Sequence, residues 1–187
     1  MISFRQFFGA VALLLVTSGT AFAATVTIEG TPAPIRPKPD FSSMSFLVGT
    51  WTCTDLSSRR PGPFTTTEVY SMDSSGYWMN RDSTIHTASW IPREVQSQTK
   101  YTYDAGATHW VRIQTGERGT FSVATAPMPA AGARKTYTYV IQTTAPGIAS
   151  YAPEVFTKVS NTKKTMSTSF TETSGRVVTV KESCTKS

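Results

Sequence analysis

The chain predicts an all-β fold: a single antiparallel meander β-barrel of about eight to ten strands, preceded by a short helical turn. Three observations carry that prediction. Past residue 40 the sequence breaks into short runs rich in Thr, Val, Tyr and Phe, cut at fairly even spacing by turn residues. No stretch shows the apolar period of an amphipathic helix. The two cysteines, Cys53 and Cys184, lie near opposite ends of the patterned region.

The elements follow in chain order. Arg5 precedes an unbroken apolar and glycine run, Phe7 to Val16, and the small-x-small triplet Ala21-Phe22-Ala23 comes after it. This is the layout of a secretory signal peptide, so residues 1–23 are expected to be cleaved and the protein exported, to the periplasm or beyond. The run is too short to span about 30 Å of hydrocarbon as a helix, so no stable membrane anchor is expected. Residues 24–40 contain four prolines and read as an extended lead-in. Residues 41–187 are then the barrel domain.

Phe41 to Phe46 is read as one helical turn. The strand-like runs after it are Val48–Asp55, Phe64–Met72, Tyr77–Thr87, Val95–Tyr103, Thr108–Thr115, Thr120–Thr125, Lys135–Thr143, Glu154–Ser160, Lys164–Thr173 and Arg176–Cys184. Turn residues punctuate them: Gly76 closes one hairpin, Gly106 another, and Ser174-Gly175 the last. The two stretches rich in Pro, Gly and Ala, around residues 127–134 and 145–153, read as loops.

Side chains alternate along a strand. Trp51, Cys53 and Asp55 therefore share one face of the first run, and Val178, Val180 and Cys184 one face of the last. Closing a meander makes first and last strands antiparallel neighbours, which brings the cysteines onto matching faces within bridging geometry. In an exported protein an even cysteine count points to a disulfide, here Cys53–Cys184.

The formal charge is +6, from 18 basic and 12 acidic residues. The close basic pairs, Arg59-Arg60, Arg134-Lys135 and Lys163-Lys164, each sit beside turn-like residues. A nucleic-acid surface concentrates charge with interleaved aromatics on one element, so no nucleic-acid partner is expected. His86 and His109 lack metal-ligand spacing, which leaves no metal site. There is no G-x-S-x-G elbow, so no catalytic residue is assigned and enzymatic activity is not the favoured class. Asp55, Asp73, Asp82, Asp104 and Glu117 read as turn caps.

Phe46-Leu47-Val48-Gly49-Thr50-Trp51, at the start of the first strand after a helical turn, resembles the Gly-x-Trp signature of the calycin superfamily, which includes lipocalins, fatty-acid-binding proteins and nitrobindin-like barrels. The likeness covers residues 41–187 and is closest to exported bacterial lipocalin-like proteins. It implies that Trp51 packs across one end of the barrel and that the interior holds a small apolar ligand. A haem cofactor is not implied: no histidine follows His109, and Thr52-Cys53-Thr54 replace the glycines of the nitrobindin-like first strand.

The residues themselves point the same way. Tyr101 and Tyr103 share a face, as do Tyr137 and Tyr139, Phe121 and Val123, and Met166 and Phe170. Side chains hardly fill a ten-stranded barrel. The expectation is a cavity for a small apolar or amphiphilic molecule, contacted by Trp51, Tyr101, Tyr103, Phe121, Tyr137, Tyr139 and Phe170, with no cofactor. The run 108–115 admits two phases. With Trp110, Arg112 and Gln114 inward, Arg112 takes an anionic head group; with His109, Val111 and Ile113 inward, Arg112 is solvated. The alternatives are a filled, ligand-free structural or interaction domain and, third, a calycin-type enzyme. Oligomeric state is left open.

Overall fold

The computed structural model describes residues 36–129, 135–143 and 145–187. The expected signal peptide and most of the lead-in lie outside the described residues, as does Arg134. Pro37–Ser187 forms one compact unit.

After a 3-10 turn at Ser45–Leu47, the strands are β1 (Gly49–Ser57), β2 (Phe64–Met72), β3 (Met79–Ile85), β4 (Val95–Asp104), β5 (His109–Gly116), β6 (Phe121–Pro127), β7 (Thr136–Ile141), β8 (Ile148–Tyr151), β9 (Glu154–Lys158), β10 (Lys163–Glu172) and β11 (Val177–Lys186). All pairings are antiparallel. β11 pairs with both β10 and β1, so the sheet closes on itself. β8 and β9 both lie against β10, on different parts of its length, and share one position in the wall. The result is a ten-strand meander barrel.

Ile148–Tyr151 falls inside a stretch that the sequence marks as loop. Its flanking Pro153 has no N–H to give a ladder and interrupts the wall between β8 and β9. The segment is nevertheless strand, because β10 is long enough to pair with both pieces and Phe170 lies opposite Tyr151 in the register.

β1 begins with Gly49 at φ +123°, a conformation that L side chains rarely adopt. A Cβ there would also come within 2.9 Å of the Lys186 side chain. Two residues on, Trp51 is fully buried, donates from Nε1 to the Leu47 carbonyl at 2.7 Å, and meets Phe46 edge-on. Trp51, with Phe41, Met44, Phe46 and Leu47 from the segment before β1, plugs one end of the barrel against Trp110, Tyr137 and Phe156. This is the closed end.

In the β1–β11 register Cys53 faces Cys184, and the two form a disulfide. It ties strands 131 residues apart in the chain, at the seam where the barrel closes.

At the other end, the β3–β4 loop supplies Ile91, which is buried, and Trp90, whose ring meets Phe64 edge-on under the Arg60 guanidinium. This end is only partly covered.

Candidate functional site

The phase of β5 sets what the barrel interior contains. Trp110 and Arg112 are buried while Ile113 is exposed, so the set Trp110, Arg112 and Gln114 points inward. The next strand answers it. Ala126 lies opposite Trp110 and Ala124 opposite Arg112, both fully buried. A small residue beside each large one is how a narrow barrel fills its interior. The expectation that Phe121 points into the interior is corrected by this phase. With Ala124 and Ala126 inward, the odd-numbered residues of β6 point out, and Phe121 is 63% exposed.

The other predicted residues divide by depth. Trp51 and Tyr137 belong to the closed end, where the Tyr137 hydroxyl donates to Ser43 Oγ at 2.8 Å. Tyr103 is partly buried and packs edge-on against Trp110. Tyr101 and Tyr139 sit deeper and meet each other edge-on. Phe170 is half-buried toward the opposite end, against Tyr151. Arg112 is buried, but its guanidinium is taken by the chain's own Glu154, over the Tyr139 ring. It does not stand open to an external head group.

Between the tyrosines lies a cluster of buried ions. Glu68 on β2 accepts from Arg81 at 2.8 Å, from Lys164 at 2.5 Å and from the Tyr70 hydroxyl at 3.0 Å. Lys164 on β10 also donates to Glu182 at 3.0 Å. Its ammonium stands within 6 Å of the Trp51, Tyr70 and Phe156 ring centroids (5.8, 5.6 and 5.8 Å). Arg81 spends its second amino group on Thr99 at 2.9 Å. Asp55, expected to cap a turn, is instead buried on the inward face of β1 and accepts from Thr66 at 2.6 Å. Asp73 and Asp104 do cap turns, on the amides of Gly76 and Gly106.

The ionisation of this cluster follows from its geometry. Burial pushes the Glu182 carboxyl up, Glu68 pushes it further, and it reaches about 7. Burial also works against ionised Glu68, but Arg81 and Lys164 outweigh it and hold that carboxyl below its usual range. Lys164 is raised because Glu182 and Glu68 together overcome the cost of burying it. Glu68, Glu182 and the two cysteine sulfurs come within 4.8 Å of one another. The sulfurs are bonded to each other and Lys164 engages both carboxylates, so the ligand atoms a cation needs are already committed.

Among the described residues, an interior space of about 20 Å³ is bordered by Tyr70, Arg81, Tyr101, Tyr139, Glu154 and Lys164. That is room for about one water molecule. A fatty-acid-sized ligand does not fit among these side chains.

A larger concavity, about 320 Å³, opens at the uncovered part of the other end. It is lined by Ile85 and Val95 on β3 and β4, Gln114 and Ser122 on β5 and β6, and Phe121 and Tyr151 at its edge. Gly116 helps to shape it: a Cβ there would collide with the Thr120 hydroxyl across the β5–β6 turn. Phe121 and Phe170, the two predicted aromatics farthest from the plug, belong to this mouth or to the ring beside it.

No protein-family model matches the sequence, and neither does any curated protein. Among solved structures, a protein of unknown function from the DUF3598 family of Nostoc punctiforme is similar in outline, with 15% identity and a TM-score of 0.39. The match covers 85% of this chain and 53% of that one, so the chain spans about half the length of that protein. No conclusion about this chain rests on so loose an overlap.

Proposed function

We propose that the protein is an exported, calycin-like binding module whose site for a small apolar or amphiphilic molecule is the open mouth of the barrel, not its interior. The observation that carries the reading is the contrast between the two spaces. The interior is occupied by rings and paired charges around room for one water. The mouth is about 320 Å³, within the range of small-molecule pockets, and combines apolar walls with a few polar groups.

The division of labour follows from the lining. Ile85, Val95, Phe121 and Tyr151 offer apolar surface, while Gln114 and Ser122 at the inner side offer an amide and a hydroxyl. A ligand of roughly 15 non-hydrogen atoms at about 0.4 kcal/mol each would bind with about 6 kcal/mol, a dissociation constant of tens of micromolar. An oxidised disulfide at the seam suits an exported protein.

Displacement of an environment-sensitive dye by a panel of fatty acids, alcohols and aromatic acids tests the reading. Phe121 is exposed, so Phe121→Asp is expected to leave the melting temperature unchanged and to weaken binding about tenfold or more, by placing a charge against apolar ligand surface. The filled core supports a second reading, a ligand-free interaction domain. That reading takes over if no compound on the panel shows saturable displacement.

A further inference from the structure

We propose that the closed end of the barrel docks on an anionic phospholipid surface through lysines at the ends of β7, β9, β10 and β11. These lysines are scattered in sequence and adjacent in space. Lys135 stands opposite Lys158, since Lys158 donates its backbone N–H to the Lys135 carbonyl and the next residues, Thr136 and Thr157, are register partners. Lys163 begins β10, and the Lys186 N–H is bonded to the carbonyl of Thr162 just before it. Neighbouring strands lie about 4.8 Å apart, so four cationic groups line one side of the same rim.

Among the described residues they lack carboxylate partners, as do Lys38, Lys100 and Lys181, and what sets them apart is that the four stand together on one rim. Several cations elsewhere are spoken for: Arg81 and Lys164 by Glu68, Arg112 by Glu154, Arg93 by Glu117, Arg59 and Arg176 by Glu172. Among the described residues none of Lys135, Lys158, Lys163 and Lys186 makes an ion pair. Lys158 and Lys186 lean on the plug, over the Phe46 and Trp51 rings, and Lys186 also donates to the Phe46 carbonyl. Lys135 and Lys163 are exposed. Of the acidic residues at this end, Asp73 and Asp104 belong to the β2–β3 and β4–β5 turns, away from the lysine side, and are hydrogen-bonded within those turns, and Asp40, just before the plug, accepts from the Ser42 amide.

A second observation selects a lipid surface over a soluble polyanion. Val159 is 52% exposed in the turn between Lys158 and Lys163, and Val48, next to Gly49 and hence beside Lys186, is 39% exposed. Apolar side chains set among unpaired lysines match the boundary between acyl chains and anionic head groups. Docked this way, the opposite end, with its mouth, stays in water.

Co-flotation of the mature protein with phosphatidylcholine vesicles, with and without phosphatidylglycerol, tests the proposal. Binding is expected only with the anionic lipid and is expected to fall as salt rises. Each lysine near the surface contributes about fivefold, so Lys135→Gln with Lys163→Gln should weaken partitioning about 25-fold. Both side chains are exposed, and an unchanged melting temperature confirms the fold. The control pair Lys100→Gln with Lys181→Gln, exposed on the barrel wall, removes the same net charge and should leave partitioning as in the parent. Val159→Ser should weaken vesicle binding but not binding to heparin. Equal partitioning to both vesicle types, equal loss in the two lysine pairs, or binding to heparin with none to vesicles would overturn the proposal.

Discussion

Glu182 shows how much one buried side chain contributes. Its folded pKa, about 7, stands above the ordinary glutamate value of 4.5, so protonation favours the folded state. The stabilisation is complete below about pH 4.5 and is lost as pH rises through about 7, an effect of about 3 kcal/mol for a shift of this size. Glu68 works in the opposite sense: its lowered pKa contributes stability above its unfolded value, lost as pH falls through the folded one. Denaturant unfolding followed between about pH 5 and pH 8 should therefore show stability declining toward the alkaline side, with Glu182→Gln flattening the decline. A parent protein that gains stability over that interval would contradict the assignment. The sequence carried a signal for this residue that hydrophobicity alone hides. Glu182 shares the face of Val178, Val180 and Cys184, and Lys164 shares that of Met166 and Phe170, yet each is charged. Alternation places such residues inward; only the three-dimensional neighbours reveal that they pair with each other.

The elements were legible in number and order, and their phase only where a constraint reached across strands. The meander, the helical turn before Gly49 and the facing cysteines all follow from spacing and alternation. β6 did not yield in the same way. Read alone, Phe121 and Val123 are the apolar set and belong inside; read beside β5, Ala124 and Ala126 go inside, because Trp110 and Arg112 occupy the space opposite. β8 was hidden by its prolines and glycine, since its strand character comes from β10 rather than from its own residues. The disulfide is the element-scale feature with the largest expected energy. Closing a span of 131 residues is worth up to about 5 kcal/mol in the chain-entropy model. Cys184→Ser is expected to lower the melting temperature by up to about 10–20 °C, since about 1 kcal/mol moves a domain of this size by about 2–4 °C. Two titratable thiols in the unfolded, unreduced protein would show that the bond does not form.

For the molecule as a whole, the two ends of the barrel have different characters and the middle separates them. Plug residues and unpaired lysines occupy one end, a partly apolar mouth the other, and between them an interior filled by tyrosines and paired charges. The general architecture could be read from sequence because closure depends on strand count and order. The location of the binding space could not, since it depends on summed side-chain volume, and on whether inward charges find partners close enough to be tolerated. Arg112 is the clearest instance: its inward phase was one of two open readings, but its partner Glu154 lies 42 residues on, across the barrel. The central claim is that binding happens at the mouth over a filled interior. Two-dimensional amide NMR of the ¹⁵N-labelled protein, titrated with an amphiphile that displaces the dye, tests it most directly. The account predicts shift changes centred on Ile85, Val95, Gln114, Phe121, Ser122 and Tyr151, with Tyr101, Tyr139 and Lys164 undisturbed; changes centred on those three interior residues would contradict it.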